Sequence, residues 1–301
     1  MKIQYSIKTR LAVWITVALW ASAFVGIRAG LESYTPGSLA ALRFLVASFC
    51  MLILYMRLPN RNRISWRDKG WLILIGITGI GFYQLALNYG EISVSSGIAS
   101  FIISLSPVIT LIFAVIFLRE AVTINMVFGM TVSVIGVFLI MLGKVNQSDF
   151  HVGVCFVLIA AIIGGIYSVV QKPFLKKYHA IEVTAYIIWG ATIFLLIYLP
   201  NVLHEGKFAS LQATLAVIYL GIFPAAIGYI LWSYCLKEMP ASTAVNYLYF
   251  MPLIATFLGW LYLHEMPALL SLIGGFVTLL GVWIVSHPRQ KKIEYPVKEN
   301  L

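Results

Sequence analysis

A chain of 301 residues that is 61% hydrophobic and 11% charged, with a mean hydropathy of +0.93, does not have the composition of an ordinary soluble domain, in which charged residues approach a quarter of the sequence. The net charge of +10 suggests nucleic acid, but that reading needs Lys and Arg to share one exposed face, and their placement along the chain excludes it. Cys50, Cys155 and Cys235 fall in or beside apolar stretches without CxxC spacing or a neighbouring His cluster, so they read as packing residues rather than as metal or redox groups.

The N-terminus places Lys2, Lys8 and Arg10 ahead of an apolar run that contains Ala21-Ser22-Ala23, an imitation of a secretory signal with its cleavage site. The run continues to Gly30, so it is read as a retained membrane span. A bilayer core of about 30 Å takes about 20 helical residues. Ten stretches qualify, at 11–30, 36–57, 70–90, 94–118, 124–143, 152–171, 182–202, 211–235, 240–262 and 268–286. Backbone amides in lipid must be satisfied within the segment, and these runs lack the alternation of barrel strands, so all ten are predicted as helices.

Basic residues orient the chain. With the N-terminus cytoplasmic, the inner segments hold 17 Lys and Arg, including Arg57, Arg61, Arg63, Arg67, Lys69, Lys172, Lys176 and Lys177, and the outer loops hold only Lys144 and Lys207. Both termini are then cytoplasmic, and the basic excess is a topology signal.

The chain also repeats itself. Pro107 and Pro252, Glu120 and Glu265, Gly129 and Gly274, and Gly136 and Gly281 are each 145 positions apart. Tyr89 and Tyr234, and Ala99 and Ala244, keep the same offset, which fades in the first two segments of each copy. Five spans per copy is an odd number, so the second copy enters the membrane upside down, an arrangement known from secondary transporters. The expected organisation is a first five-helix repeat at 1–145, a second, inverted one at 146–288 and a cytoplasmic tail at 289–301.

No carboxylate lies mid-membrane. All eleven Asp and Glu fall in loops, tails or helix ends, and His151, His179, His204, His264 and His287 are equally peripheral. The groups of an intramembrane proton relay or a metal-dependent hydrolase are missing from the pattern, so no enzyme activity, metal or cofactor is expected. Arg28 and Arg43 are the only charges well within apolar segments. Both lie toward outer helix ends, where a long side chain can snorkel to the interface. The competing role is to hold an anionic group, and Arg43, two turns from Pro36, suits it better.

Uncharged polar residues recur at helical spacing: Gly81, Gln84 and Asn88; Ser93, Ser96, Ser100 and Ser104; Gly164, Tyr167 and Gln171; Ser242, Asn246 and Tyr249. Such stripes either line a wet cavity or supply the small, hydroxyl-bearing contacts of close helix packing in lipid. The serines fit packing, whereas the amides of Gln84, Asn88, Gln171 and Asn246, costlier to leave unpaired, fit a cavity. Trp14, Tyr34, Trp71 and Tyr219 are expected as interfacial anchors, while Trp20, Tyr83, Tyr167, Tyr229 and Trp232 sit deeper, where they either pack or stack on cargo. Pro107 and Pro252 interrupt their helices near mid-membrane, as static kinks or as hinges. Gly129, Ser133, Gly136 and Gly143 form a flat contact face, partly repeated at Gly274 and Gly281, within the monomer before between monomers. Asn146-Gln147-Ser148 matches a glycosylation sequon, a spacing common by chance.

The run from Ser96 to Ile140, with its small-residue start, mid-helix Pro107, helix-end Glu120 and paired Gly129 and Gly136, resembles the EamA-type unit of the drug/metabolite transporter superfamily, and the run from Thr243 to Val285 resembles a second copy. Trp20 to Phe24 and the residues around Arg43 are similar to the first two helices of that unit. The resemblance implies a ten-helix inverted-repeat carrier of the inner membrane, with a central cavity lined mainly by segments 1, 3, 4, 6, 8 and 9, and with segments 5 and 10 peripheral. Gly164-Gly165-Ile166-Tyr167 stands where a Trp motif is expected in segment 6.

The expected protein is therefore an all-α integral membrane secondary transporter. Its cargo is a small polar or zwitterionic metabolite, amino acids first, moved by alternating access and preferably exported. The expected contacts are Trp20, Arg43, Tyr83, Gln84, Asn88, Ser104, Tyr167, Gln171, Tyr229, Trp232, Asn246 and Tyr249, with Pro107 and Pro252 as hinges. The partners are the lipid bilayer and the cargo, not nucleic acid, and a homodimer stays open. The alternatives are a membrane-embedded enzyme, a channel and a non-transporting interaction subunit.

Overall fold

The structure is a computed structural model that describes residues 5–59, 61–120, 123–142, 150–264 and 269–286. Of the residues singled out above, Lys2, Gly143, Lys144, the sequon at 146–148, Glu265, His287 and the tail at 289–301 lie outside the described residues. Eight helices there are long and apolar enough to cross a membrane: α1 (Ile7–Gly30), α2 (Pro36–Met56), α3 (Trp66–Gly90), α4 (Ser96–Leu118), α6 (Val152–Lys177), α7 (Ala180–Glu205), α8 (Leu211–Glu238) and α9 (Ala241–Leu263). Two further helices, α5 (Ile124–Leu142) and α10 (Leu269–Ser286), complete the described set.

The ends follow from local chemistry. Ser6, Ser65 and Ser210 accept the amides of Thr9, Asp68 and Ala213 at 3.1, 3.2 and 3.1 Å, which starts α1, α3 and α8. Pro36 opens α2 in the first turn, where its missing N–H costs nothing. Glu182 closes a capping box on His179 at the start of α7. These caps extend α3 and α7 beyond their apolar cores, so both begin earlier than hydropathy alone indicates.

Besides a break in α6 at Gln171 and a 3₁₀ turn in α7 at Leu196–Tyr198, four helices are irregular at positions that recur 145 apart. α3 widens to a π-helical turn at Gly76–Gly81, and α8 does so at Gly221–Ile227 around Pro224. α4 breaks between Ile103 and Ser106, and α9 passes through a 3₁₀ stretch at Val245–Phe250. Each of those breaks lies just ahead of a proline, Pro107 or Pro252, whose ring removes one amide donor and crowds the carbonyl four residues back. Both helices end on a residue in the left-handed region, Arg119 (φ 52°) and His264 (φ 54°).

Bare backbones bring the helices together. A Cβ on Gly76 would strike the backbone of Ile187 and Ala191 in α7, and one on Gly221 would meet the Arg43 carbonyl and the Val46 side chain in α2. Gly281 seats against Gly129 and Ser133, so the flat faces of α5 and α10 meet each other within the monomer. Large apolar side chains such as Phe128, Phe276 and Trp283 point outward, as lipid allows. Tyr34 departs from its expected anchoring role: it is buried, with its hydroxyl 2.9 Å from Thr214 Oγ1.

Candidate functional site

A cavity lies among α1, α2, α3, α4, α6, α8 and α9, enclosing ≈ 670 Å³ of space free of protein atoms, its mouth included. Water centres can occupy ≈ 60 Å³ of it, room for roughly four or five waters or the heavy atoms of a small amino acid. Arg43 is one wall. Its carbonyl sits against bare Gly221 in the π turn of α8, and the residue as a whole is only 2% exposed. Arg43 Nη1 donates to Gln84 Oε1 at 3.0 Å, Nε has no partner, and the guanidinium lies 5.7 Å from the centre of the Phe44 ring. Arg43 is in neither of the ion pairs found among the described residues, Lys172 with Glu120 and Lys177 with Asp68, although the buried Glu91 acts on its charge from further off.

The other walls are aromatic. Trp20 is fixed by its indole N–H, which donates to the Pro224 carbonyl at 3.1 Å, and its ring lies 5.3 Å from Tyr229 and 5.2 Å from Trp232. Tyr167 meets Tyr229 edge to face at 5.9 Å, and Tyr83 lines the same space. Gln84 Nε2 reaches the Tyr229 hydroxyl at 3.5 Å. Gln84 and Tyr229 are 145 positions apart, so corresponding sites of the two copies touch at the cavity. The lining thus offers one buried cation, an amide, three phenols, two serine hydroxyls and an indole face, and it holds no carboxylate. An anionic group has a place at Arg43, and a cationic group has only ring faces to meet.

Six of the twelve expected contact residues line this space: Trp20, Arg43, Tyr83, Gln84, Tyr167 and Tyr229. The structure places the other six elsewhere. Asn88 Nδ2 donates to the Pro36 carbonyl at 3.0 Å and ties α3 to α2. Ser104 donates to the Ser100 carbonyl of its own helix at 2.9 Å. Gln171 Oε1 accepts from Ser233 Oγ at 3.2 Å, and Ser233 in turn accepts from Thr184. Trp232 lies behind Trp20, and Asn246 and Tyr249 are buried in α9. Gly164, part of a stripe read as cavity lining or helix packing, does line the cavity, whereas Gly79 and two serines, Ser106 and Ser168, which donate to the Ala161 and Gly164 carbonyls at 2.8 and 3.2 Å, were not anticipated. The only available signal for Gly79 was its spacing within α3. Arg28 binds the Glu91 and Ile92 carbonyls at 2.6 and 3.3 Å, closing the end of α3.

A second polar cluster sits where α4 ends and α9 begins. Glu120 accepts the amides of Ala241 and Ser242 at 2.9 and 3.0 Å and the Ser242 hydroxyl at 2.7 Å, so its charge caps α9. Lys172 Nζ stands 3.0 Å from the same carboxylate and donates to the Met239 carbonyl at 2.7 Å. Burial alone would raise the Glu120 carboxyl, but the amide and hydroxyl of Ser242, the Lys172 charge and the Ala241 amide outweigh it and hold the group below the usual carboxylate range.

Residues 8–142 and 151–287 each match the EamA-like transporter family. The chain belongs to that family. Among relatives of this EamA-like transporter, an uncharacterized transporter, YdfC of Bacillus subtilis, is 39% identical over 272 residues, which cover 89% of this chain and 87% of that protein. A probable terminal-alkyne amino-acid exporter of Streptantibioticus cattleyicolor is 35% identical over 279 residues, covering 92% of this chain and 93% of that one. A solved crystal structure at 17% identity superposes with a TM-score of 0.70 over 92% of this chain and 95% of its own, which establishes the likeness of fold. The EamA-like chain is thus a helical, multi-pass membrane protein of a transporter family.

Proposed function

We propose that this EamA-like protein is a secondary transporter of small carboxylate-bearing zwitterions, amino acids and their derivatives first, exported across the inner membrane by alternating access. The observation that carries the reading is Arg43: a residue 2% exposed, lining a cavity, with an unpartnered Nε and no ion pair of its own. A buried charge left this way is costly, and a cargo carboxylate supplies the missing partner. The ammonium of the same cargo meets the faces of Trp20, Tyr167 and Tyr229. The name of the Streptantibioticus relative supports amino-acid export.

In this reading all ten helices cross the bilayer, as two five-helix repeats of opposite orientation, 1–145 and 146–288, with a tail at 289–301 and both termini cytoplasmic. The contact of Gln84 with Tyr229, equivalent positions of the two copies, favours a cargo path on the axis between them. The breaks before Pro107 and Pro252 are the hinges that let each half bend in turn.

The test is counterflow of labelled amino acids in proteoliposomes. Arg43→Gln is expected to lower kcat/KM roughly 10- to 100-fold, the worth of a hydrogen-bonded charge. Saturable flux at the wild-type rate in that variant, or equal transport of amines that lack a carboxylate, refutes the assignment.

A further inference from the structure

Two cavity-lining glycines face two cavity-lining tyrosines across one helix pair. A Cβ on Gly79 of α3 would come within 2.9 Å of Tyr167 Cδ2 on α6. A Cβ on Gly164 of α6 would come within 3.2 Å of Tyr83 Cε2 on α3. Each helix therefore provides a bare notch for the ring carried by the other. Resting on the transport reading above, we propose that Gly79 and Gly164 set the upper size of the cargo side chain, because the two notches hold the Tyr167 and Tyr83 rings back from the space where cargo sits.

The argument is steric. Tyr167 is 4% exposed and also meets Tyr229 edge to face at 5.9 Å, so a methyl on Gly79 cannot be absorbed by a free rotation of the ring. Helix backbones in a packed core yield little, and the open direction is the cavity. Gly164 is itself half-buried at the cavity wall, so a methyl there both fills space and moves Tyr83. Gly76, by contrast, faces the backbone of Ile187 and has a packing role only.

The experiment compares wild type, Gly79→Ala, Gly164→Ala and Tyr83→Leu in proteoliposome counterflow with labelled glycine, alanine, valine, leucine and phenylalanine, each protein first shown to be monodisperse. The ratio of kcat/KM for alanine over leucine is expected to rise about tenfold or more in both alanine variants, the discrimination of one or two methylenes in a tight pocket. It is expected to fall by a similar factor in Tyr83→Leu, which adds no atom and so guards against misfolding of the others. Combining Gly164→Ala with Tyr83→Leu should restore leucine transport. Ratios within about twofold of wild type in all the variants overturn the inference while leaving transport intact. A wild type that moves none of the five overturns the amino-acid reading, and this inference with it.

Discussion

Replacing Glu120 by Gln measures how much the α4–α9 junction contributes to the fold. The carboxylate accepts three hydrogen bonds, of 2.9, 3.0 and 2.7 Å, and pairs with Lys172 at 3.0 Å, with both side chains 11% exposed. A hydrogen bond to a charged group is worth about 1.5–3 kcal/mol and a neutral one about 0.5–1.5. Gln keeps an oxygen for one amide, weakens the others and leaves Lys172 without a carboxylate, although the Met239 carbonyl still holds the ammonium. The expected loss is about 3 kcal/mol, at the low end for breaking a buried pair. The pH dependence has a definite sign. The carboxyl is held below its ordinary range, so its stabilisation is complete above the unfolded value of about 4.3 and disappears as pH falls through the lower folded value. Denaturation in detergent micelles, followed by tryptophan fluorescence at pH 7 and at steps below pH 5, reads both effects. Glu120→Gln should start less stable and lose less on acidification, and adding Lys172→Met should recover part of the loss. A variant within about 0.5 kcal/mol of wild type, or one with the same acid slope, refutes this account of the junction.

Asn88→Ala should cost about 1 kcal/mol in the same assay, through the lost bond to the Pro36 carbonyl, and leave the KM for cargo unchanged, because Asn88 lies outside the cavity. Arg119→Gly should raise stability by about 0.5–1 kcal/mol, since the left-handed φ of 52° suits glycine and Schellman closure from Glu120 N to the Ala114 carbonyl is backbone-only. Gly76→Ala should destabilise by about 3 kcal/mol or more and lower the yield of folded protein, because the methyl meets the backbone of α7. Pro107→Ala should slow turnover without raising KM if the break in α4 is a hinge, a split that proteoliposome kinetics resolves.

The helix positions and the 145-residue offset were legible because both depend only on which residues are apolar and on identities at a distance. The offset reaches further than identity indicates. It recurs in the π turns at Gly76 and Gly221 and in the left-handed caps at Arg119 and His264, where two different side chains take one backbone conformation. What periodicity does not encode is which polar side chain already has a partner in a neighbouring helix. Gln84 and Gln171 look alike as isolated amides in apolar runs, yet Gln171 Oε1 is engaged by Ser233, which Thr184 holds in place, whereas Gln84 turns its oxygen to Arg43 and its nitrogen to Tyr229 inside the cavity. The same difference separates Ser104, bonded to its own helix, from the residues facing open space. Glycine hid its role for a related reason: in a membrane helix it signals close packing in general, and whether the neighbour is a backbone, as at Gly76, or a cavity-lining ring, as at Gly79, depends on helix rotation. Arg43 was only half readable: its place near a helix end allowed snorkelling as readily as binding, and only the packing shows the residue buried with five donors that no apolar neighbourhood satisfies. With Nη1 on Gln84 and Nε unpartnered, it keeps a donor for an oxygen from outside the chain, which is the contact the transport proposal assigns to a cargo carboxylate.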